Sequence, residues 1–377
     1  KGTKTMGYRD LFANKIKRME EYLKGEGIKD DLIENMVESG YICFNHIIYD
    51  TYYGLKNGYL PPITIEQIKF YQENKRHRRV FPPFDKIFTV KNFMEIDDIL
   101  SDIKSKYKNV VYRGATNLYT FKRPFPSPYF SDSNGYEISL VSSYFRKFSQ
   151  NYMERIEKES IISFLRPFLH NVYYEQFNDL WLQFENGEIL HQDFCDRAES
   201  FRDKLWNNYI SNTDASTVEQ HYGIDSRMLD VTFDIKIALF FAFNNLVKIK
   251  NSYYDYVEIG KKEYTNAVVF VLKPHTDLLD ILEWKYDDIE INGYKCIRPI
   301  RQQCTSLSSS IDAINEAASE VVAIIKFDEE FELPTDIPEK DYLFPSPKED
   351  PFFEALIRLN PDAKEIMRYV FHDYENF

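Results

Sequence analysis

Apolar residues recur at helical spacing from Gly7 to Lys24 (Leu11, Ile16, Met19, Leu23) and from Lys29 to Phe44 (Leu32, Ile33, Met36, Val37). Glycines at Gly25, Gly27 and Gly40 punctuate the two runs, which predicts two amphipathic helices. A third helix is predicted over Thr64–Glu73, fenced by Pro61–Pro62 and Pro82–Pro83, with a boundary near residue 85. Val90–Tyr107 predicts another helix, leading into a short strand, Asn109–Tyr112, that ends at Arg113–Gly114. Prolines at Pro124, Pro126 and Pro128 make Tyr119–Phe130 irregular, because they join neither a helix nor a central strand.

Glu137–Leu205 has a helical period, carried by Leu140, Tyr144, Phe148, Phe184, Ile189, Phe194 and Phe201. Strands are predicted at Asn266–Leu272, Tyr294–Ile300 and Glu320–Phe327. A loop at Asp341–Pro347, a helix at Phe352–Leu359 and a polar tail close the chain. Strands scattered among helices without strict alternation predict an α+β fold, a small mixed or antiparallel sheet with large helical insertions. The expected organisation is a helical N-terminal appendage at 1–85, a main domain at 86–350, and a C-terminal helix and tail at 351–377.

The abrupt change within Gln220–Phe243 (QHYGIDSRMLDVTFDIKIALFFAF) marks the candidate site. His221, Gly223, Asp225, Ser226, Arg227, Asp230 and Thr232 stand directly before an almost purely apolar helix-length run. Burying such groups costs free energy unless each finds a partner. Gly223 suggests a turn, Arg227–Val231 a short strand, and Thr232 or Asp234 the cap of the following helix. The second element is VVYRGA at Val110–Ala115. Arg113 at a strand end offers a planar fork of donors for phosphate or carboxylate, and Gly114 lets backbone approach a ligand at a sheet edge. An intramolecular salt bridge would also explain Arg113, and caps would explain Thr232 and Asp234.

Composition narrows the field. The 377 residues carry a net charge of −13, which disfavours nucleic acid as a partner, since phosphate neutralisation needs surplus Lys and Arg. The run Lys75–Arg79 is a local basic patch. Cys43, Cys195, Cys296 and Cys304 form no CxxC pair, which fits a reduced, cytoplasmic compartment. No window reaches the roughly 18 apolar residues of a membrane span, and the first residues lack the apolar core of a secretory signal. The 7 histidines show no i+3 or i+4 pairing, so no metal site is expected. Walker A, GxGxxG and GxSxG motifs are absent.

VYRGA, PFPSPYF, EQHYGIDSRMLDVTFDIKIALFFAF, RPIRQQCTSL and DYLFPS, in this order, resemble the FRG domain. That family's hallmark is an F/Y-R-G motif with a Q-H-Y-G-x-x-T-R-L-L-D-x-T segment and an A-L-x-F-A helix. The resemblance runs from about Phe88 to Pro347. Gln220, His221, Tyr222, Gly223, Arg227, Leu229, Asp230 and Thr232 match. Ser226 stands where the family has Thr, Met228 where it has Leu, and Val231 where it often has Trp. In the later R-I-x-x-Q-x-G-x-F pattern Ile300 and Gln303 fit, while Thr305 replaces Gly and Leu307 replaces Phe.

The order of an Arg strand, a Ser/Thr strand and a late polar position is also similar to ADP-ribosyltransferases of the Arg-Ser-Glu type. That similarity implies NAD as a substrate with no permanently bound cofactor. Arg113 would hold the pyrophosphate, and Ser226 or Thr232 would line the nicotinamide site. Gln303 occupies the slot of the acid, and Glu219 or Glu320 could supply the missing charge. The expected catalytic set is therefore Arg113, His221, Asp230 and Gln303, with Tyr112, Gly114, Gln220, Tyr222, Ser226, Arg227 and Thr232 binding ligand. The reading that follows is a bacterial cytoplasmic FRG-domain protein with a nucleotide (NAD) site, acting as a toxin or phage-defence effector. The alternative is a non-catalytic module that recognises a phosphate- or carboxylate-bearing ligand or a protein partner.

Overall fold

The computed structural model describes residues 8–44, 46–54, 62–77, 86–146, 183, 186–193, 197, 221–223, 228–250, 253–274, 290–291, 294–308 and 313–359. Two helices, α1 (Tyr8–Gly25) and α2 (Asp30–Glu38), open the described chain. The second ends earlier than its apolar period suggests. Gly40 turns the backbone into the left-handed region (φ 84), and Tyr41–Phe44 becomes a strand (β1), paired antiparallel with β2 (Ile47–Asp50). Helix α3 (Ile65–Asn74) starts on Thr64, whose side chain accepts from the Gln67 amide in a reciprocal capping box.

The centre is a six-stranded mixed sheet in the order β13-β7-β4-β10-β14-β3. Its members are β3 (Ile87–Val90), β4 (Val111–Ala115), β7 (Met228–Thr232), β10 (Val268–Leu272), β13 (Cys304–Ser308) and β14 (Val321–Phe327). All neighbours are antiparallel except β14 and β3. The α+β expectation holds. One face packs Val111, Leu229, Val231, Phe270 and Ile324 against Phe121, Ile138 and Leu140. The hairpin β5 (Thr120–Lys122) and β6 (Tyr136–Ile138) belongs to this side, with the one-turn helix α5 (Ser143–Arg146) just after it. The other face is covered by α4 (Phe93–Lys106) and α6 (Ile235–Phe243), through Ile96, Leu100, Ala238, Leu239, Ala242 and Phe243.

A further hairpin, β8 (Asn244–Lys250) and β9 (Tyr253–Glu258), follows α6 directly. The Tyr294–Ile300 stretch is not one strand. A two-residue β12 (Tyr294–Lys295) pairs with β11 (Glu290–Ile291), and Ile297–Arg301 is a short helix, α7. Pro299 is accommodated in its first turn, where backbone N–H groups have no intrahelical partner. Asp341–Pro347 opens with a turn of helix, α8 (Lys340–Leu343), and α9 (Pro351–Leu359) ends the described chain. In the predicted helical region Glu137–Leu205, Glu137 lies in β6. Most residues beyond Arg146 there lie outside the described residues, as does the polar tail.

The proline-rich segment holds a buried charge, Arg123. Arg123 donates to both oxygens of Asp50 (2.8 and 2.7 Å), to both of Glu137 (3.1 and 2.9 Å) and to the Ser39 carbonyl (2.7 Å). The Tyr53 hydroxyl adds a 2.5 Å bond to Glu137, and the guanidinium lies 4.3 Å from the Tyr52 ring centroid. Residues 39–53 thus complete a cluster whose other half sits on β5–β6.

Candidate functional site

Two sequence elements meet at the β4–β7 seam. Elsewhere in the sheet, neighbouring strands pair over four or more positions. Here a single pair, Tyr112 with Thr232, joins them among the described residues. Beyond that rung the strands part, and Arg113 spans the gap, its Nη1 donating to the Asp230 carbonyl at 2.5 Å. A cleft of about 620 Å³ occupies this region, lined by Arg113, Arg146, His221, Asp230, Gln302 and Cys304 with aromatic walls from Tyr119, Phe241 and Tyr256.

Gly114 has a different task from the expected one. Strand β4 lies inside the sheet rather than at its edge. A Cβ on Gly114 would stand 1.8 Å from the Ala238 carbonyl oxygen and 2.6 Å from the Ala242 nitrogen. The missing side chain lets α6 rest on the strand backbone, as glycine does wherever two backbones approach closely. Asp234 caps that helix, accepting from the Lys236 amide at 2.8 Å. Thr232 donates to the Gln302 carbonyl at 2.9 Å and accepts from the Asp234 amide at 3.1 Å, so its hydroxyl is already engaged although it borders the cleft.

Arg113 is the cleft's electrostatic feature. Apart from its bond to Asp230, its guanidinium makes no hydrogen bond among the described residues. Burial, reinforced by the nearby Arg146, pulls its pKa down to about 10, with Asp230 and Tyr256 opposing. Among the described residues, Asp230 and Tyr256 offset this burial only in part. Among the described residues that line the cleft, Asp230 is the one carboxylate. Burial raises its pKa, while His221, Arg113 and a 3.3 Å hydrogen bond from Ser306 hold it down. Its side chain remains 27% exposed, enough to face the cleft.

Behind it lies a chain of side-chain contacts. The Leu343 carbonyl accepts from Gln302 Nε2 (2.9 Å), and Gln302 Oε1 meets His221 Nδ1 (2.7 Å). His221 Nε2 is 2.9 Å from Cys304 Sγ and 3.7 Å from Asp230 Oδ1. Strand register explains the grouping: Ser306 lies opposite Asp230 and Cys304 opposite Thr232. Gly223, left-handed at φ 82, makes the predicted turn after His221.

Arg113, Tyr112, Gly114, His221, Asp230 and Thr232 therefore share one cleft. Gln303 does not join them. Its backbone is left-handed (φ 43), and its exposed amide reaches out to Asp234 at 3.4 Å while its neighbour Gln302 turns inward. Tyr222 points away, donating to Asp350 at 2.6 Å and packing against Phe352 and Phe353. Gln220, Ser226, Arg227 and Glu219 lie outside the described residues. Glu320 is buried immediately before β14 and is not among the described residues that line the cleft. Sequence reasoning missed Gln302, Cys304 and Arg146. For Cys304 the available signal was its alternation with Ser306 on one face of β13; Gln302 sits in the turn before that strand, where no strand period marks it.

Among the described residues no helix is long and apolar enough to cross a membrane, and no cluster of His, Cys, Asp and Glu is arranged to hold a metal ion. No curated protein and no solved structure matches the chain. The family model of the FRG domain matches residues 129–250, the stretch that brings His221, Asp230, Thr232 and α6 to the cleft.

Proposed function

We propose that the cleft binds an anionic, nucleotide-sized ligand, with Arg113 gripping its phosphate or carboxylate and Arg146 adding positive charge at the same end. The observation that carries this reading is Arg113 itself, a half-buried guanidinium lining the cleft whose hydrogen bond among the described residues goes to a backbone carbonyl, its pKa pulled down to about 10 by burial. Guanidinium forks match planar anions in two contacts. The volume of about 620 Å³ and the aromatic walls suit a ligand with a ring system. NAD is the first ligand to try, given the resemblance of the Arg-bearing and Thr-bearing strands to Arg-Ser-Glu ADP-ribosyltransferases.

A second reading, ADP-ribosyl transfer or NAD hydrolysis in a toxin or defence effector, is favoured by one observation: Asp230, a carboxylate in the same cleft as Arg113. It would supply the negative charge that neither Gln303 nor Glu320 brings to the cleft. Calorimetric titration of the full chain with NAD, ADP and pyrophosphate tests the first reading. Binding that falls at least tenfold in Arg113→Ala is expected, and absence of binding by all three ligands overturns it. Nicotinamide release that disappears in Asp230→Asn tests the second, and an unchanged release rate refutes it.

A further inference from the structure

We propose that Cys304 is a nucleophile in the cleft, with His221 as its general base and Gln302 positioning His221, acting on an electrophilic carbon of an anionic ligand. The ligand class rests on the anion-binding reading above; the nucleophile does not.

Gln302 fixes the tautomer. Its Nε2 donates to the Leu343 carbonyl (2.9 Å), so its Oε1 must face the ring, 2.7 Å from His221 Nδ1. An amide oxygen only accepts, so Nδ1 carries the proton and Nε2 is left as an acceptor. That acceptor stands 2.9 Å from Cys304 Sγ. Nucleophile, base and orienting group are thus in sequence, each within hydrogen-bond reach of the next. Asp230 Oδ1, 3.7 Å from the same Nε2, stabilises the imidazolium created when the proton moves. The residues belong to one cleft with Arg113.

Burial, with the charge of Asp230, pushes the Cys304 thiol well above its usual pKa. The resting state is therefore a thiol donating to Nε2, and ionisation accompanies attack. The Sγ–C bond forms as the thiol proton passes to Nε2. The bond from that carbon to its leaving group breaks, the leaving group takes the electron pair, and it then collects the proton from Nε2.

The test is alkylation of the full chain by iodoacetamide and by iodoacetate, read for each cysteine by peptide mass spectrometry. Here an Sγ–CH2 bond replaces C–I, and iodide leaves. The Cys304 rate is expected to level off above neutral pH, whereas an unassisted thiol gains about tenfold per pH unit up to its own pKa. His221→Gln is expected to slow labelling by about a hundredfold, within the usual contribution of a general base, and Gln302→Leu to slow it too. Iodoacetate is expected to outpace iodoacetamide, with that lead lost in Arg113→Ala. A wild-type Cys304 rate that climbs without a plateau, or that does not exceed those of Cys43 and Cys296, overturns the nucleophile without any variant. A plateau with equal rates for the two reagents upholds the nucleophile and overturns the anion-binding reading.

Discussion

Replacing Gly114 by alanine tests the reading of the cleft's architecture most directly. The backbone at Gly114 is outside the left-handed region, so alanine is conformationally tolerated there. At a site with free space, Gly→Ala stabilises by about 0.4–1 kcal/mol, through the entropy of the unfolded chain. Here the new Cβ would lie 1.8 Å from the Ala238 oxygen. Carbon–oxygen contacts settle at roughly 3.3 Å, so α6 would have to retreat by about 1.5 Å. The atom in the way is helix backbone, which cannot rotate aside as a side chain would. Retreat also loosens Ala238, Leu239, Ala242 and Phe243 from the core. Overpacking of this kind costs about 3 kcal/mol or more. Urea denaturation monitored by circular dichroism reads the change, with Gly25→Ala as a reference because a Cβ there meets nothing within 4 Å. A Gly114→Ala protein as stable as wild type, or more so, would refute the close-approach argument.

Arg123→Met should destabilise the fold by about 3–5 kcal/mol in the same assay, because it leaves Asp50 and Glu137 buried without their cation. Glu320, raised to about 8 by burial and by Glu316, charges at a cost, so its stabilisation is complete below its unfolded pKa of about 4.5 and is lost as pH rises to about 8. Glu320→Gln should therefore match wild type near pH 4 and exceed it in stability near pH 9, as followed by thermal unfolding; no change in slope would refute this. Tyr222→Phe removes the 2.6 Å bond to Asp350 and should cost about 1–2 kcal/mol. Since Tyr222 does not line the cleft, ligand titrations of this variant should match wild type.

Strong local signals were readable in the sequence. The apolar run of α6 with Asp234 before it, and the β-branched runs of β10 and β14, declare themselves by burial and capping chemistry. Period alone could not separate α2 from β1, since Ile42 and Phe44 continue an apolar pattern that a left-handed Gly40 interrupts. For the site, the meeting of Arg113 with Asp230 was anticipated by chemistry, across more than a hundred residues of chain. The choice between Gln302 and Gln303 was not, because adjacent identical side chains are distinguished only by backbone direction, and the positive φ of Gln303 sends it outward. Arg123 was hidden for a related reason. A charged residue among prolines reads as solvated loop until its distant partners, Asp50 and Glu137, are known.

The single rung between β4 and β7 makes the sheet two half-sheets, β13-β7 and β4-β10-β14-β3. Past that rung, the bond from Arg113 to the Asp230 carbonyl acts as a latch between them. An anion that draws on the same guanidinium competes with the latch. On the proposed anion-binding reading, occupancy of the cleft would be linked to how tightly the two half-sheets are held.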